Sequence, residues 1–191
     1  GKMDRLVKQL LEISQLESGA IELEKEDFDL AGLTRWILEK NALRLEEKGC
    51  ELVTNFPEEA YVVADYSRID QVITNYLTNA LNHVAMPGQI RVTIQGDTEQ
   101  VCLSVFNTGP NIPEEQIPRL WESFYKADKA RTREYGGQGL GLYIVKTILN
   151  AHQADFGVNN LADGVEFWFT LPAGPPADDW DDDAVDDITT E

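Results

Sequence analysis

The chain is poor in the residues that build covalent or metal-held frameworks. Its two cysteines, Cys50 and Cys102, stand far apart with no metal-ligand spacing, and its only histidines are His83 and His152. A disulfide scaffold and a zinc site are therefore not expected, and a reducing, cytoplasmic setting is. No apolar run approaches the roughly 20 residues of a membrane span and no leader-like stretch is visible, so these residues read as soluble. Basic residues are scarce too: 16 Lys and Arg stand against 34 Asp and Glu, a net charge of -18. That balance argues against a nucleic-acid partner, which needs a basic face. Present instead are 42% hydrophobic residues and four tryptophans in 191 residues, enough for one domain with flanking pieces. Gly1 stands where an initiator methionine would, and the chain is expected to be a piece of a longer one.

Residues 1–19 carry Met3, Leu6, Leu10 and Ile13 at helical spacing, widened by Val7 and Leu11, and Ser18-Gly19 stops the run. So wide a stripe on so short a helix predicts part of a longer hairpin or dimer helix. Beyond it, residues 21–25 alternate like a strand and residues 28–48 read as one helix ended by Gly49. Residues 51–56 and 61–64 read as short strands, 67–84 as a helix closed by Met86-Pro87-Gly88, and 89–95 with 101–105 as a hairpin turning at Gly96-Asp97-Thr98. A short helix over 114–121, a helix over 139–150 and a second hairpin around Ala162-Asp163-Gly164 follow. The order gives an α+β fold over 20–173, a two-layer α/β sandwich whose single mixed sheet carries helices on one face, preceded by a helix stub. Residues 174–191 close the chain with eight acidic residues and no basic one, a composition that predicts disorder.

Three stretches carry chemistry. Gly136-Gly137-Gln138-Gly139-Leu140-Gly141-Leu142 runs into an apolar helix, an arrangement whose close-approaching amides and positive dipole end suit a polyphosphate. Taken alone, such a cluster also makes plain loops. In the helix over 67–84, Ile69, Val72, Ile73, Tyr76, Ala80 and Val84 share one face while Asn75, Asn79 and Asn82 form a column on the opposite one. Asparagine is a poor helix former, so the column suggests that its oxygens are used, and a neutral amide oxygen suits Mg²⁺ shared with phosphates. Third, the strand ending at Phe106 runs into Asn107-Thr108-Gly109-Pro110-Asn111-Ile112-Pro113, where a base edge could be read.

In this order and spacing the stretches resemble the N, G1 and G2 boxes of sensor histidine kinases, and Trp121-Glu122-Ser123-Phe124-Tyr125-Lys126 resembles their F box. The resemblance runs over about 21–172. It implies a catalytic ATP-binding domain of Bergerat type, the fold shared with gyrase, mismatch-repair and chaperone ATPases, preceded over 1–19 by the end of a dimerisation and phosphoacceptor hairpin.

By that resemblance Asn79 would coordinate Mg²⁺ and Asn75 would support it or the phosphates. His83 would lie against adenine, and Asn82 stands where a phosphate-contacting lysine is common. Asn107 stands where the family usually has an aspartate that accepts from the adenine amino group, and Asn111 replaces the second glycine of that box. Gly109, Ile112, Phe124 and Tyr125 complete the binding set. Lys126, Arg131 and Arg133 would bring positive charge from a lid over 113–136. The backbone of Gly137, Gly139 and Gly141 would hug the phosphates, with Leu140 and Leu142 anchoring the helix.

The ATPases of the fold keep a glutamate where Asn75 stands. An amide cannot take a proton from water at neutral pH, so transfer is expected rather than hydrolysis. The implied cofactors are ATP and Mg²⁺, and the implied partners are the hairpin and a response regulator receiver domain, in a membrane-bound homodimeric parent. Two other readings stay open: a degenerate nucleotide-binding scaffold, to which Asn82, Asn107 and Asn111 point, and an anti-sigma-factor-type serine kinase of the same fold.

Overall fold

Alternation decides the central sheet. Along β4 (Gln89–Gly96), β5 (Gln100–Thr108) and β7 (Gly164–Pro172) every second residue is apolar, and Ile90, Val92, Ile94, Leu103, Val105, Val165, Phe167 and Phe169 all turn to one buried face. The computed structural model of the chain describes residues 1–19, 22–125 and 139–176. The remaining elements there are α1 (Lys2–Glu17), β1 (Lys25–Asp29), α2 (Leu30–Lys40), α3 (Ala42–Lys48), β2 (Glu51–Asn55), β3 (Tyr61–Asp65), α4 (Tyr66–His83), a 3₁₀ helix (Glu114–Trp121), α5 (Gly141–Ala151) and β6 (Phe156–Asn160). The expected acidic tail lies, from residue 177 on, outside the described residues.

A five-stranded mixed sheet runs in the order β2-β4-β5-β7-β6, with β2 parallel to β4 and the other neighbours antiparallel. Helix α4 lies on its apolar face. Ile69, Val72, Ile73, Tyr76 and Ala80 are buried as their spacing predicts, and the Tyr76 ring tilts against Phe167 (5.5 Å between centroids) and Phe169 (6.1 Å). Helices α2 and α5 flank α4, giving the two layers.

Several local expectations need correction. The strand expected over 21–25 is instead β1, and it pairs antiparallel with β3 in a second, two-stranded sheet, so the single sheet becomes two. Phe28 explains the shift: paired with Val62, it reaches the core only from a strand. The helix expected over 28–48 begins at Leu30, where Asp29 caps it by accepting from Ala31 N (3.0 Å). It breaks at Asn41, whose side-chain amide donates to Ile37 O (2.8 Å) in competition with the helix's own ladder. The glycine run enters helix at Gly141, not Gly139, because Gly139 has a left-handed φ of 71°.

The stripe of α1 is divided. Ile13 is buried, and Leu6 and Leu16 pack against the same core, whereas Met3 (76% exposed), Val7 and Leu11 (61%) remain open. A polar clasp fixes the docked side: Glu12 Oε1 accepts from Arg68 Nη1 (2.9 Å) and Gln71 Nε2 (2.6 Å), both on α4.

His152, at the end of α5, ties that helix to the start of α4. Its Nδ1 meets Ile148 O at 2.8 Å and its Nε2 accepts from Asp65 N at 3.1 Å, so a neutral ring with the proton on Nδ1 satisfies both contacts. Burial pushes its pKa below the ordinary 6.5, against the weaker upward pull of the Ile148 carbonyl. A base harder to protonate folded than unfolded contributes stability that is full above pH 6.5 and is lost as pH falls from there through the folded-state pKa. Denaturant midpoints measured from pH 7.5 to 5 are expected to fall on acidification. The fall should flatten in His152→Gln.

Candidate functional site

Helix α4 is the element on which the separated stretches meet. Asn75, Asn79 and Asn82 are half-buried along its flank, beside rather than within the buried face. Midway along it, Asn75 Nδ2 donates to Gly141 O at 3.2 Å, so the asparagine column touches the glycine run at the first residue of α5. Leu140 is fully buried and Ile144, Val145 and Ile148 follow it into the core, anchoring the run; Leu142 is half-buried and packs against the same cluster.

At its other end α4 meets β5. Ala85 N donates to Thr108 O (2.7 Å), and a Cβ on Gly109 would stand 3.3 Å from His83 O and 3.5 Å from Asn107 Nδ2. Asn107, at 4% exposure, shares the helix-facing side with its pair partners Ile90 and Val165, and its Nδ2 donates to Thr108 O at 3.3 Å. His83 and Asn107 are thus neighbours through backbone. With about 1.5 Å of rise per helical residue, Asn75 and His83 lie about 12 Å apart along α4.

Phe124 and Tyr125 close on the glycine run from a third side. Phe124 N donates to Gly139 O (2.9 Å), and a Cβ on Gly139 would come within 2.9 Å of Tyr125 O, so only glycine permits this backbone approach. Behind them Trp121 sits edge-on to Phe156 (5.0 Å) and Phe167 (5.8 Å), fixing the segment to the sheet. Lys126, Arg131, Arg133 and Gly137 lie outside the described residues, as does the expected lid from residue 126 to 136.

The donor set suits a hard cation shared with phosphate. Among the described residues no three His, Cys, Asp or Glu form a metal cage. Asn79, one helical turn from Asn75 and half-buried, makes no side-chain hydrogen bond to another described residue, which leaves its amide oxygen available.

Asn111 and Asn160 tie the segment after β5 to the turn between β6 and β7. Asn111 Nδ2 donates to Leu161 O (2.8 Å) and Gly164 O (3.1 Å), so this side chain is used by the fold. Asn160, which no motif singles out, binds both backbone groups of Ile112. An Asn pair before a turn signals side-chain to backbone bonding, but a partner 48 residues away is not legible in it.

Residues 64–175 match the family described as histidine kinase-, DNA gyrase B- and HSP90-like ATPase. The chain is 33% identical to the sensor histidine kinase WalK of Bacillus subtilis over 186 residues, covering 95% of this chain and 30% of WalK. Full-length ShkA in complex with AMPPNP superposes with a TM-score of 0.77 at 31% identity, over 90% of this chain and 36% of that one. Histidine kinase ThkA in complex with the response regulator protein TrrA superposes at 0.73 with 27% identity, over 90% of this chain and 48% of ThkA. The chain thus spans about a third of WalK and ShkA and about half of ThkA. With the asparagine column and the glycine run meeting on one helix, the chain belongs to the histidine kinase-, DNA gyrase B- and HSP90-like ATPase family, as an ATP-binding catalytic domain of the sensor histidine kinase kind.

Proposed function

We propose that the domain binds Mg·ATP along α4, base toward His83 and Asn107 and phosphates toward Asn75 and the glycine run, and transfers the γ-phosphoryl group to a histidine on a helical hairpin. From there the group passes to an aspartate of a response regulator, a partner class suggested by the ThkA–TrrA complex. The observation that carries the reading is the Asn75–Gly141 contact, which joins two motifs 66 residues apart. The separation of about 12 Å between Asn75 and His83 fits an extended nucleotide laid along the helix.

Asn107 Oδ1 accepts from the adenine amino group, His83 lies against the ring, and Gly109 and Ile112 form the base-side wall. Phe124, Tyr125 and the backbone of Gly137, Gly139 and Gly141 enclose the phosphates, with Asn75 beside them and Leu140 and Leu142 as anchors, while Asn82, next to His83, stands where the family commonly has a phosphate-contacting lysine. Asn79 holds Mg²⁺. Bound there, the ion would neutralise charge on the phosphate oxygens. Lys126, Arg131 and Arg133 add positive charge where charge develops in transfer. With an amide at position 75, water activation lacks its base.

Residues 1–19 are the end of the hairpin, 20–173 the catalytic domain and 174–191 an acidic tail. The open Met3, Val7 and Leu11 are then the side that meets the rest of the hairpin, in a membrane-bound homodimeric parent. Neither histidine serves as acceptor: His152 is buried with both nitrogens engaged, and His83 belongs to the nucleotide helix. Titration with an ATP analogue and Mg²⁺ is expected to saturate below millimolar concentration, and failure to saturate overturns the reading. Labelled ATP should leave this chain unlabelled and label an intact hairpin added in trans.

A further inference from the structure

We infer that Asn111 and Asn160 are positioning residues for the nucleotide: together they lash the segment 109–112 to the β6–β7 turn and hold the base-side wall in its binding shape. The inference rests on the nucleotide reading above. Asn160 closes a reciprocal pair with Ile112, accepting from its N–H at 2.9 Å and donating to its carbonyl at 2.8 Å. One amide thereby does for Ile112 what a neighbouring strand would do. Asn111 reaches the same turn, donating to Leu161 O and Gly164 O at 2.8 and 3.1 Å, and Gly109 N donates to Asp163 O at 3.1 Å. The turn is itself closed by Leu161 N to Gly164 O at 2.9 Å.

These bonds lie in the connection from β5 to the 3₁₀ helix, where Pro110 and Pro113 restrict φ but no strand ladder holds the backbone in place. On its other side the segment lies by the site, for a Cβ on Gly109 would stand 3.3 Å from His83 O and 3.5 Å from Asn107 Nδ2. Freezing a loop before the ligand arrives removes an ordering cost from binding. Asn111 is exposed and its amide holds two backbone carbonyls, so hydrogen bonding rather than apolar packing accounts for it.

The test uses the 191-residue chain with Asn111→Ala and Asn160→Ala, each stripping two hydrogen bonds. Without nucleotide, amide exchange at Gly109, Asn111 and Ile112 is expected to quicken by about tenfold in Asn160→Ala. Calorimetric affinity for an ATP analogue with Mg²⁺ should weaken by about tenfold in both variants. Because Asn111 is exposed, its variant should melt within a few degrees of the parent, which separates positioning from unfolding. Faster exchange with unchanged affinity overturns the inference and leaves the nucleotide reading standing. If the unmodified chain binds no nucleotide, both fall.

Discussion

Replacing Asn79 by alanine is expected to abolish Mg²⁺-dependent phosphoryl transfer to a hairpin supplied in trans, by at least about a hundredfold, equivalent to roughly 2.7 kcal/mol of barrier. The fold should not suffer. Asn79 is half-buried and no described residue hydrogen-bonds its side chain, and alanine is the better helix former, so the melting temperature should hold or rise slightly. Loss of transfer without loss of stability marks a ligand rather than a structural residue. Chelation by EDTA should reduce the parent to the level of the variant and leave the variant unchanged. A variant that transfers phosphate at the parent rate would remove Asn79 from the metal site, and would favour the scaffold reading only if parental activity were also absent.

The second large effect is structural and concerns Gly164. A Cβ there would stand 2.1 Å from Asn107 O and 2.6 Å from Phe106 Cε2, and the nearer atom is strand backbone that cannot swing aside. Gly164 pairs with Thr108 at the end of the β5–β7 ladder and also accepts from Asn111 and Leu161 N. Gly164→Ala must therefore part the two strands at the base-side wall. We expect a loss of about 3 kcal/mol, or roughly 10 °C of melting temperature, together with weaker nucleotide binding. Gly96 supplies the control. Its Cβ would meet Gln100 O at 2.4 Å, a comparable clash, but in the β4–β5 turn at the other end of the strands from Asn107. Gly96→Ala should cost stability and spare the affinity of the molecules that stay folded. Equal loss of affinity in both variants would mean that Gly164 acts through global stability alone.

The amides at positions 75 and 107 can both donate and accept hydrogen bonds but cannot act as a base in water. At position 75 an amide donates to the glycine run, a bond that a glutamate in the same place could not give when ionised. At position 107 the amide is buried and keeps its NH₂ on Thr108 O, which leaves the oxygen to accept. Neither amide offers a base that could take a proton from water.

The amino-acid sequence by itself determined the parts whose causes are local. Apolar recurrence along α4 and α5, alternation in β4 with a recurring apolar face in β5 and β7, and the turn at Ala162-Asp163-Gly164 are read from near neighbours, and the boxes follow because their residues are contiguous. The tertiary structure decided whatever depends on a partner distant in the chain. Strands β2 and β3 are both five residues long, yet β2 pairs parallel with β4 and β3 antiparallel with β1, a choice that depends on which strand edges the folded chain brings together. Asn41 breaks a run that periodicity joins, because its side chain finds Ile37 O. Asn111 and Asn160 gain their use only where the chain folds back on itself after some fifty residues, for a hydrogen bond's partner is a place in space and not a place in the sequence.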